Sequence, residues 1–555
     1  MPIIIVTITF LVFLFARAKL LMIFFQQDEY NNIRFLNFTF RNLRLVDKKL
    51  TVVLLLLGIL AFIAQHFQSN LSLINLIDLF YLIIFLTLIV FFFLQLKLAK
   101  NARKALVQTA RVKRILSVFG LLYVLLLAVV IYLHLPFNFL NSPFVIICPI
   151  SSFIILTQLT PLMLVLSNIL LSPLEKWSQN KFLTEAKEKL ARINPTIIGI
   201  TGSYGKTSTK HILSHITSSS VPIFFPAGGI NTPMGITRVI REKLKPEHKF
   251  FVSEMGAYGR GSIERICNLT PPTYGIITAV GKMHFERFKS QETIAQTKFE
   301  LAEAVFKKGG KLVINAELVD RKYIEHFTAR SQKDVILVAR KKDPDYQTCI
   351  ISDEKLTVDG VTFKLELNGE VYELQCPIYG LHQITNIAEA FVMSTILGIA
   401  PETIVASLKT MPQIQHRLEV LRNPNTAIVI DDIYNSNPVG FRSALGVLNI
   451  LKRPKGRRIL VTPGMVELGE IHEQEHFTVG QEIGRVADVL VAVIPKRIKS
   501  LIDGFKSTAD LSQQKLVKLD TAKEVKTWVA ANAKPEDVIL YENDLLDLYE
   551  SKVRL

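Results

Sequence analysis

Hydrophobic residues are concentrated in the first third of the 555-residue chain. Five apolar stretches lie before residue 172, and beyond it short apolar runs alternate with polar segments that contain Gly and Pro at regular intervals. A helix of about 20 apolar residues crosses the hydrocarbon core of a bilayer. The pattern predicts a membrane region of about five transmembrane helices followed by a soluble α/β half. The predicted spans are residues 2–26, 51–67, 74–96, 115–135 and 144–171.

The first stretch contains Arg17 and Lys19 and has two interpretations. It is either a full span or a shorter one that ends near Phe15, with both cations extending to the membrane interface. No basic segment precedes its apolar core and no small-residue cleavage site follows it, unlike in a secretory signal peptide. We therefore expect a retained helix.

The loops between these stretches alternate in charge. Lys and Arg are frequent between the first and second stretches, between the third and fourth, and after the fifth, whereas residues 68–73 and 136–143 contain none. Short cytoplasmic loops carry Lys and Arg, and every loop here agrees with one topology. We expect a multi-pass protein of the cytoplasmic membrane, with the N-terminus outside and the C-terminal half in the cytoplasm.

The formal net charge of +17 raises the question of a nucleic-acid partner. The first 175 residues hold fourteen Lys and Arg against five Asp and Glu, so they contribute about half of the excess. Basic loops beside anionic lipid explain that half, and we expect membrane lipids rather than nucleic acid as partners. The four cysteines form no CxxC pair, which argues against a zinc ribbon or a disulfide framework.

Residues 172–195 predict an amphipathic, basic linker helix bracketed by Pro173 and Pro195. After the linker, short apolar runs are each followed by polar turn or helical sequence, which indicates a parallel sheet with helices on its faces. These runs are residues 196–201, 249–253, 274–278 and 311–314.

Residues 346–379 alternate like a small antiparallel insertion, and residues 381–411 have a helical pattern. A second α/β unit begins near residue 412, with buried-strand runs at 427–430, 458–461 and 489–493. We therefore predict four segments: a membrane region (1–175), a linker helix (176–194), a central domain built on a parallel sheet (195–411) and a Rossmann-like α/β C-terminal domain (412–555).

A glycine-rich motif, Thr201-Gly-Ser-Tyr-Gly-Lys-Thr-Ser208, follows a predicted strand and opens a predicted helix. Glycines let backbone N–H groups turn toward a phosphate, and a helix N-terminus adds favourable charge. The lysine can reach the β- and γ-phosphates, and the following hydroxyl can bind Mg²⁺. The common nucleotide-binding P-loop has a further Gly at the position where this chain has Ile200. The motif alone therefore also fits an ordinary strand-to-helix turn. The candidate nucleotide-binding residues are Gly202, Ser203, Gly205, Lys206, Thr207 and Ser208.

Further motifs follow in order along the soluble half: Asn231–Gly235, Glu254–Ala257, Ile277–His284, Thr293–Glu300, Gly380–Asn386, His416–Glu419, Asp431–Pro438 and Met465–Gly469. With them, residues 195 to 555 resemble the Mur ligases, ATP-dependent enzymes that build the peptidoglycan stem peptide. The EMGA, DDxYNxNP and MxELG strings are most similar to the member that adds D-alanyl-D-alanine. The chain departs from the family pattern at Ala279, at Ala316 and at Gln383.

The resemblance implies that ATP phosphorylates a substrate carboxylate and that an incoming amine then displaces phosphate. It implies catalytic roles for Lys206, His284 and Lys298, and a Mg²⁺ held by Thr207 and Glu254. A second Mg²⁺ would bind His284 and Lys298, with Lys298 carbamylated and thereby converted from a cation to an anion. Each of these three residues also has an interpretation without a metal: Glu254 could be solvated at a strand end, His284 could be structural, and Lys298 could lie on a solvated helix face.

The resemblance also implies contacts for residues near the C-terminal domain. Asn386 would approach the nucleotide base, and Arg417 and Asp432 would contact phosphate and ribose. Four residues are less specific candidates for substrate contact, namely Asn231, Thr232, Asn435 and Asn437. The last two are equally typical of a turn.

The family has a separate N-terminal domain that holds the UDP end of its substrate. Only about 25 residues separate the last apolar stretch from the phosphate-loop strand, too few for such a domain. We expect the membrane region to take its place, and the basic loops at 34–49 and 97–114 either to meet the pyrophosphate of the acceptor or only to set the topology.

The sequence thus predicts an ATP-dependent amide ligase that joins D-Ala-D-Ala to a nucleotide- or lipid-linked muramoyl-peptide precursor. Two alternatives stay open. One is a membrane-bound amide ligase for another substrate, such as a poly-γ-glutamate synthase-like protein. The other is a non-catalytic, nucleotide-binding scaffold for wall synthesis.

Overall fold

The computed structural model divides into two compact units between Gln179 and Asn180. The residues that it describes are 2–28, 30–42, 46–66, 73–101, 106–134, 144–281, 288, 290–434, 437–466, 468 and 471–543. Each unit has hydrophobic cores of its own.

The first unit is helical. Its helices are α1 (Pro2–Gln27), α2 (Asn32–Asn42), α3 (Val46–His66), α4 (Leu73–Asn101), α5 (Ala110–His134) and α6 (Phe144–Ile193), the last continuing into the second unit. Among the described residues, four helical segments are long and apolar enough to cross a membrane: Ile4–Gln27, Asp78–Lys100, Ala110–Val130 and Ile150–Ile193. The second predicted span corresponds to α3, whose described apolar part, Lys49–Leu60, is shorter.

Of the two interpretations of the first stretch, the structure favours the full span, because helix α1 continues past Phe15 to Gln27. Arg17 is 2% exposed, so this cation faces other helices instead of an interface. Only Lys19 is exposed, with its ammonium 4.8 Å from the Phe15 ring centroid. The prediction that Pro173 precedes a separate linker helix was wrong, because α6 continues through it from Phe144 to Ile193, although an interior proline removes a main-chain hydrogen bond and crowds the preceding turn.

Arginines of the basic loops are engaged inside the first unit. Three of them pair with acidic or amide side chains: Arg34 with Asp28 at 3.3 Å, Arg111 with Asn168 at 3.0 Å, and Arg114 with Glu175 at 2.7 Å. The Arg111 guanidinium also lies 3.9 Å from the centroid of the Tyr30 ring. These arginines therefore connect the end of α1 with α2 and the start of α5 with the middle of α6, whereas Lys97, Lys100 and Lys113 are exposed.

The second unit begins with a nine-stranded sheet in the order β2-β3-β1-β4-β5-β6-β7-β8-β9. The pairs from β2 to β7 are parallel, and β7, β8 and β9 are antiparallel. The strands are β1 (Thr196–Thr201), β2 (Ile223–Phe224), β3 (Phe250–Met255), β4 (Tyr274–Ile277), β5 (Leu312–Asn315), β6 (Val335–Ala339), β7 (Gln347–Thr357), β8 (Gly360–Leu367) and β9 (Glu370–Cys376).

Helices cover both faces of this sheet, which explains why its parallel strands are continuous apolar runs. Ile197 of β1 packs into one core, whereas Ile198 and Ile200 pack into the other. The helices are α7 (Lys206–Ser218), α8 (Pro233–Lys243), α9 (Ser262–Cys267), α10 (Gln291–Phe306), α11 (Arg321–Thr328), α12 (Gln383–Ile396) and α13 (Pro401–Lys409).

A six-stranded sheet follows, in the order β10-β11-β15-β12-β13-β14, and all of its pairs are parallel except β10 with β11. Its strands are β10 (Glu419–Leu421), β11 (Ile428–Asp432), β12 (Arg458–Thr462), β13 (Val489–Val493), β14 (Lys515–Leu519) and β15 (Val538–Glu542). Its helices are α14 (Pro438–Ile450), α15 (His472–Val486), α16 (Lys499–Thr508) and α17 (Ala522–Asn532). The predicted fold class, helices followed by two parallel-rich α/β domains, is confirmed.

Candidate active site

The phosphate loop leaves the carboxyl end of β1, which lies between β3 and β4 in the sheet. Gly205 has a φ of 81°, and a Cβ there would overlap the side-chain oxygen of Asn386, so this position requires glycine. Ser203 ties the loop to the segment after β4. Its N–H donates to Ala279 O at 2.9 Å, and its hydroxyl donates to Gly281 O at 3.0 Å. The loop is thus held in place by its neighbours.

Lys206 begins helix α7 and folds back over the loop. Its ammonium donates to Gly202 O at 2.6 Å and to Ser203 O at 3.4 Å. Burial lowers the pKa of Lys206; the Glu254 carboxylate opposes this, and the Arg417 guanidinium adds to it. A phosphate placed in the loop would compete with the two carbonyl groups for this ammonium.

Glu254, near the end of β3, is 1% exposed and accepts hydrogen bonds from three side chains. The Thr207 hydroxyl lies 3.2 Å from both carboxylate oxygens, Lys210 Nζ lies 3.0 Å from Oε2, and Asn231 Nδ2 lies 3.2 Å from Oε1. Burial alone would raise the pKa of Glu254, but the ammonium groups of Lys210 and Lys206 outweigh it, and the pKa is lowered. An ionised carboxylate beside a hydroxyl offers the oxygen ligands that Mg²⁺ prefers.

Lys298, on α10, reaches the same loop from the opposite side. It is 4% exposed, and its ammonium donates to Gly202 O at 3.1 Å. Burial lowers the pKa of Lys298 well below its usual range, and the charge of Lys206 lowers it further. His284, the predicted partner of Lys298 at a second Mg²⁺, lies outside the described residues.

The first segment of the C-terminal domain contributes a cation near the loop. Arg417 Nη1 donates to Tyr434 O at 2.8 Å, and its charge acts on the pKa of Lys206. Asp432 accepts from the Leu418 N–H at 3.2 Å. Burial raises the pKa of Asp432 to about 6, although Arg417 opposes the shift.

The remaining predicted residues differ in what they contact. Asn231 reaches Glu254, but Thr232 caps α8 by accepting from Gly235 N at 3.3 Å, and Asn437 caps α14 by accepting from Gly440 N at 3.0 Å. Ser208 is buried inside α7. Asn435 lies outside the described residues.

One other cluster within the described ranges has the composition of a metal site. His416, Glu419 and Asp431 have ligand atoms within 4.8 Å of one another. His416 Nδ1 lies 2.8 Å from Asp431 Oδ2, and the His416 N–H donates to Glu419 Oε2 at 3.1 Å. These contacts already account for the arrangement as a hydrogen-bonded corner.

Sequence reasoning missed Lys210 and Glu389. Lys210 follows Lys206 by four positions, one helical turn, so it points in the same direction along α7. Glu389 is a single carboxylate in the apolar run 387–393 of α12, and a lone charge in such a run marks a buried polar contact. Both signals are readable from the sequence.

Comparison with known proteins identifies the two α/β domains. Residues 200–394 match the Mur ligase middle domain, and residues 416–541 match the Mur ligase glutamate ligase domain. The chain is 32% identical over 306 residues to the UDP-N-acetylmuramoyl-tripeptide–D-alanyl-D-alanine ligase of Mycobacterium tuberculosis, across 54% of this chain and 58% of that protein. It is 27% identical over 299 residues to the Bacillus subtilis ligase of the same name, across 54% of this chain and 62% of that protein. The chain thus spans less than two thirds of these relatives.

Solved structures with the same fold include MurF from Acinetobacter baumannii, with a TM-score of 0.57 and 22% identity over 66% of this chain and 77% of that one. MurF from Thermotoga maritima in complex with ADP has a TM-score of 0.56 and 23% identity over 66% of this chain and 80% of that one. The two matched domains together make up more than half of the sequence and lie in the same order as in the family. The chain belongs to the Mur ligase family.

Proposed function

We propose that this protein is an ATP-dependent amide ligase of peptidoglycan precursor synthesis, which joins D-alanyl-D-alanine to the carboxylate of a muramoyl peptide. The observation that carries the proposal is the convergence of Lys206, Thr207, Glu254 and Lys298 on one loop of a Mur ligase fold. The names of the curated relatives support the choice of D-Ala-D-Ala as the incoming amine.

In this proposal the γ-phosphate of ATP is transferred to the substrate carboxylate, and ADP leaves. The amine then attacks the acyl carbon, phosphate leaves, and an amide remains. Lys206 and the backbone N–H groups of the loop hold the phosphates, while Thr207 and Glu254 hold Mg²⁺. When bound, Mg²⁺ neutralises charge on the triphosphate. Asn386 contacts the base, and Arg417 and Asp432 contact phosphate and ribose.

We further propose that Lys298 is carbamylated and, with His284, holds a second Mg²⁺ near the acceptor carboxylate. The buried Lys298 has a lowered pKa, which favours the neutral amine. A neutral amine can add to carbon dioxide, forming an N–C bond and releasing one proton. The product is an anion, which suits a divalent cation better than an ammonium does.

Asn231, Asn435 and Asn437 are candidates for contact with the substrate.

We infer that residues 1–175 anchor the enzyme in the cytoplasmic membrane, with the N-terminus outside and the ligase domains in the cytoplasm. Four helices of sufficient length and apolar composition support this inference, as does the alternation of loop charge. The acceptor is then either UDP-linked or lipid-linked. The exposed lysines Lys97, Lys100 and Lys113 are the better candidates for its pyrophosphate, since Arg34, Arg111 and Arg114 are already paired.

The test uses the full-length protein in detergent with ATP, Mg²⁺ and UDP-muramoyl-tripeptide, or its lipid-linked form. Phosphate release and the mass of the product are measured with D-Ala-D-Ala and, in parallel, with glutamate. Release and a product of the expected mass with the dipeptide support the proposal. Release only with glutamate would favour a poly-γ-glutamate-type ligase, and nucleotide binding without any release would favour the scaffold.

A further inference from the structure

Glu389 lies at the centre of a buried polar network behind the phosphate loop. Its side chain is 0% exposed. Thr209 of α7 has its hydroxyl 2.9 Å from Glu389 Oε2, and Asn315, at the end of β5, donates from Nδ2 to Oε1 at 3.1 Å. Glu389 therefore connects α12, α7 and β5 at the level of the loop.

Asn386 lies one turn before Glu389 on α12 and is linked to it through the same hydroxyl. The Thr209 hydroxyl is 3.3 Å from Asn386 Oδ1, and Asn386 Nδ2 donates to Gln383 Oε1 at 2.8 Å. The Asn386 oxygen also packs against Gly205 of the phosphate loop. The orientation of this amide thus depends on what Thr209 presents to its oxygen and on what Gln383 presents to its nitrogen.

The Thr209 hydroxyl can donate to only one of its two oxygen neighbours. It lies between Glu389 Oε2 and Asn386 Oδ1 and carries only one hydrogen. If Glu389 is ionised, that hydrogen goes to Glu389, and the hydroxyl presents a lone pair to the Asn386 oxygen. If Glu389 carries a proton, it donates to Thr209, and Thr209 donates to Asn386.

The surroundings favour the second arrangement. Thr209 and Asn315, which form hydrogen bonds with Glu389, are neutral, and burial raises the pKa of Glu389 to about 8 despite these two hydrogen bonds. A neutral carboxylic acid is a donor as well as an acceptor. Every member of the chain Glu389–Thr209–Asn386 then has a matching partner.

We propose that Glu389 is a positioning residue that holds the Asn386 amide in one orientation through Thr209, and so makes the site prefer adenine over guanine. The inference rests on the proposed function only in taking Asn386 to approach the nucleotide base. An amide can bind adenine through an amino donor and a ring-nitrogen acceptor together, whereas the same edge of guanine offers two acceptors. A fixed amide oxygen favours adenine and repels guanine. An amide free to turn loses part of that preference.

The experiment compares binding of non-hydrolysable ATP and GTP analogues to the full-length protein in detergent, by calorimetry. Glu389→Leu and Thr209→Val each break the chain, and we expect them to weaken the ATP analogue roughly tenfold, as for loss of one buried hydrogen bond. The GTP analogue should change less than about twofold. Glu389→Gln and Thr209→Ser keep the donors and should bind like the parent protein. Ser394→Ala, a buried position on the same helix, is the matched control.

Equal weakening of both analogues in Glu389→Leu and Thr209→Val would overturn the inference, because a merely structural role predicts that result. So would a Glu389→Gln variant that behaves like the leucine variant. Thermal unfolding of each variant identifies any that does not fold, and the two substitutions at separate positions provide independent tests. If the parent protein binds the ATP analogue but releases no phosphate with D-Ala-D-Ala, the proposed reaction fails while the binding comparison still decides the role of Glu389.

Discussion

The two sheets of residues 180–546 differ in the charge that they carry at the carboxyl ends of their parallel strands. At the first sheet, Glu254 lies near several buried or half-buried cations, which are Lys206, Lys210 and Lys298. At the second sheet, Asp432 lies near the Arg417 guanidinium and near other acids. Those acids are Asp431 on β11 and Glu542 on β15, and Asp432 and Glu542 are register partners.

Burial favours a raised pKa at both Glu254 and Asp432, but the two pKa values shift in opposite directions. Burial alone would raise the pKa of Glu254, yet Lys210 and Lys206 lower it. Burial raises the pKa of Asp432 to about 6, because Arg417 offsets only part of the cost. The number of nearby cations decides the difference. Glu254, at the first sheet, therefore stays ionised, as a cation site needs. Asp432, at the second sheet, can hold a proton and donate it in a hydrogen bond to a neutral hydroxyl.

The largest effect should come from removing the cation that folds over the phosphate loop. We expect Lys206→Ala to lower phosphate release by roughly 1000-fold, since phosphoryl transfer depends on charge neutralisation by such groups. The measurement is phosphate release with D-Ala-D-Ala and acceptor. Lys311→Ala, at an exposed position beside the amino end of β5, is the control and should retain full activity. An active Lys206→Ala protein would contradict the role of the loop.

The next effect concerns the buried pair Lys210–Glu254. Lys210→Met leaves Glu254 buried without that ammonium, and such a loss typically costs 3–5 kcal/mol, so we expect a melting temperature lower by roughly 10 °C. Adding Glu254→Gln removes the uncompensated charge and should restore most of the stability but none of the activity. Thermal unfolding and phosphate release measure the two outcomes separately.

A control for this prediction is the exposed pair Arg238–Glu242, whose charged atoms are 4.0 Å apart. Arg238→Met should leave the melting temperature unchanged, because exposed ion pairs contribute little. If the double variant at 210 and 254 were as unstable as Lys210→Met, the loss would come from packing, and the contrast between the two sheets would be weaker.

The third effect is the pH dependence of stability at the second sheet. The pKa of Asp432 in the folded protein, about 6, is above its ordinary value. The contribution of Asp432 to the free energy of unfolding is therefore fully present at low pH and is lost as pH rises from about 4 to 6. Asp432→Asn removes this dependence. We expect the melting temperature of the parent protein, relative to the variant, to fall by an amount equivalent to roughly 2–3 kcal/mol across that range. A constant difference would show that Asp432 titrates normally.

The strand, loop and helix of residues 196–218 were predictable, because a buried β-branched run, two glycines and a polar helix follow one another directly. The contacts of Glu254 were not. Lys210 reaches it because β1, the strand before α7, pairs with β3, and Asn231 reaches it because β2 pairs with β3. Nothing local in the sequence fixes either pairing, and the pairing of Thr207 with Glu254 followed only from the family resemblance. The burial of Arg17 has the same origin, since it depends on which face of α1 the other helices cover.

The smallest effect distinguishes a helix cap from a substrate contact at Asn437. Its side chain accepts from Gly440 N at 3.0 Å, as Thr232 does from Gly235 N at 3.3 Å in the central domain. We expect Asn437→Ala to cost about 1 kcal/mol of stability and Asn437→Ser, which keeps a capping oxygen, to cost little.

If Asn437 is only a cap, the serine variant also keeps its activity, as Thr232→Ser should. A stable Asn437→Ser protein with a KM for D-Ala-D-Ala raised roughly tenfold, the loss expected for one hydrogen bond to the dipeptide, would instead make Asn437 part of the substrate site. The second sheet would then bind the incoming amine as well as the nucleotide.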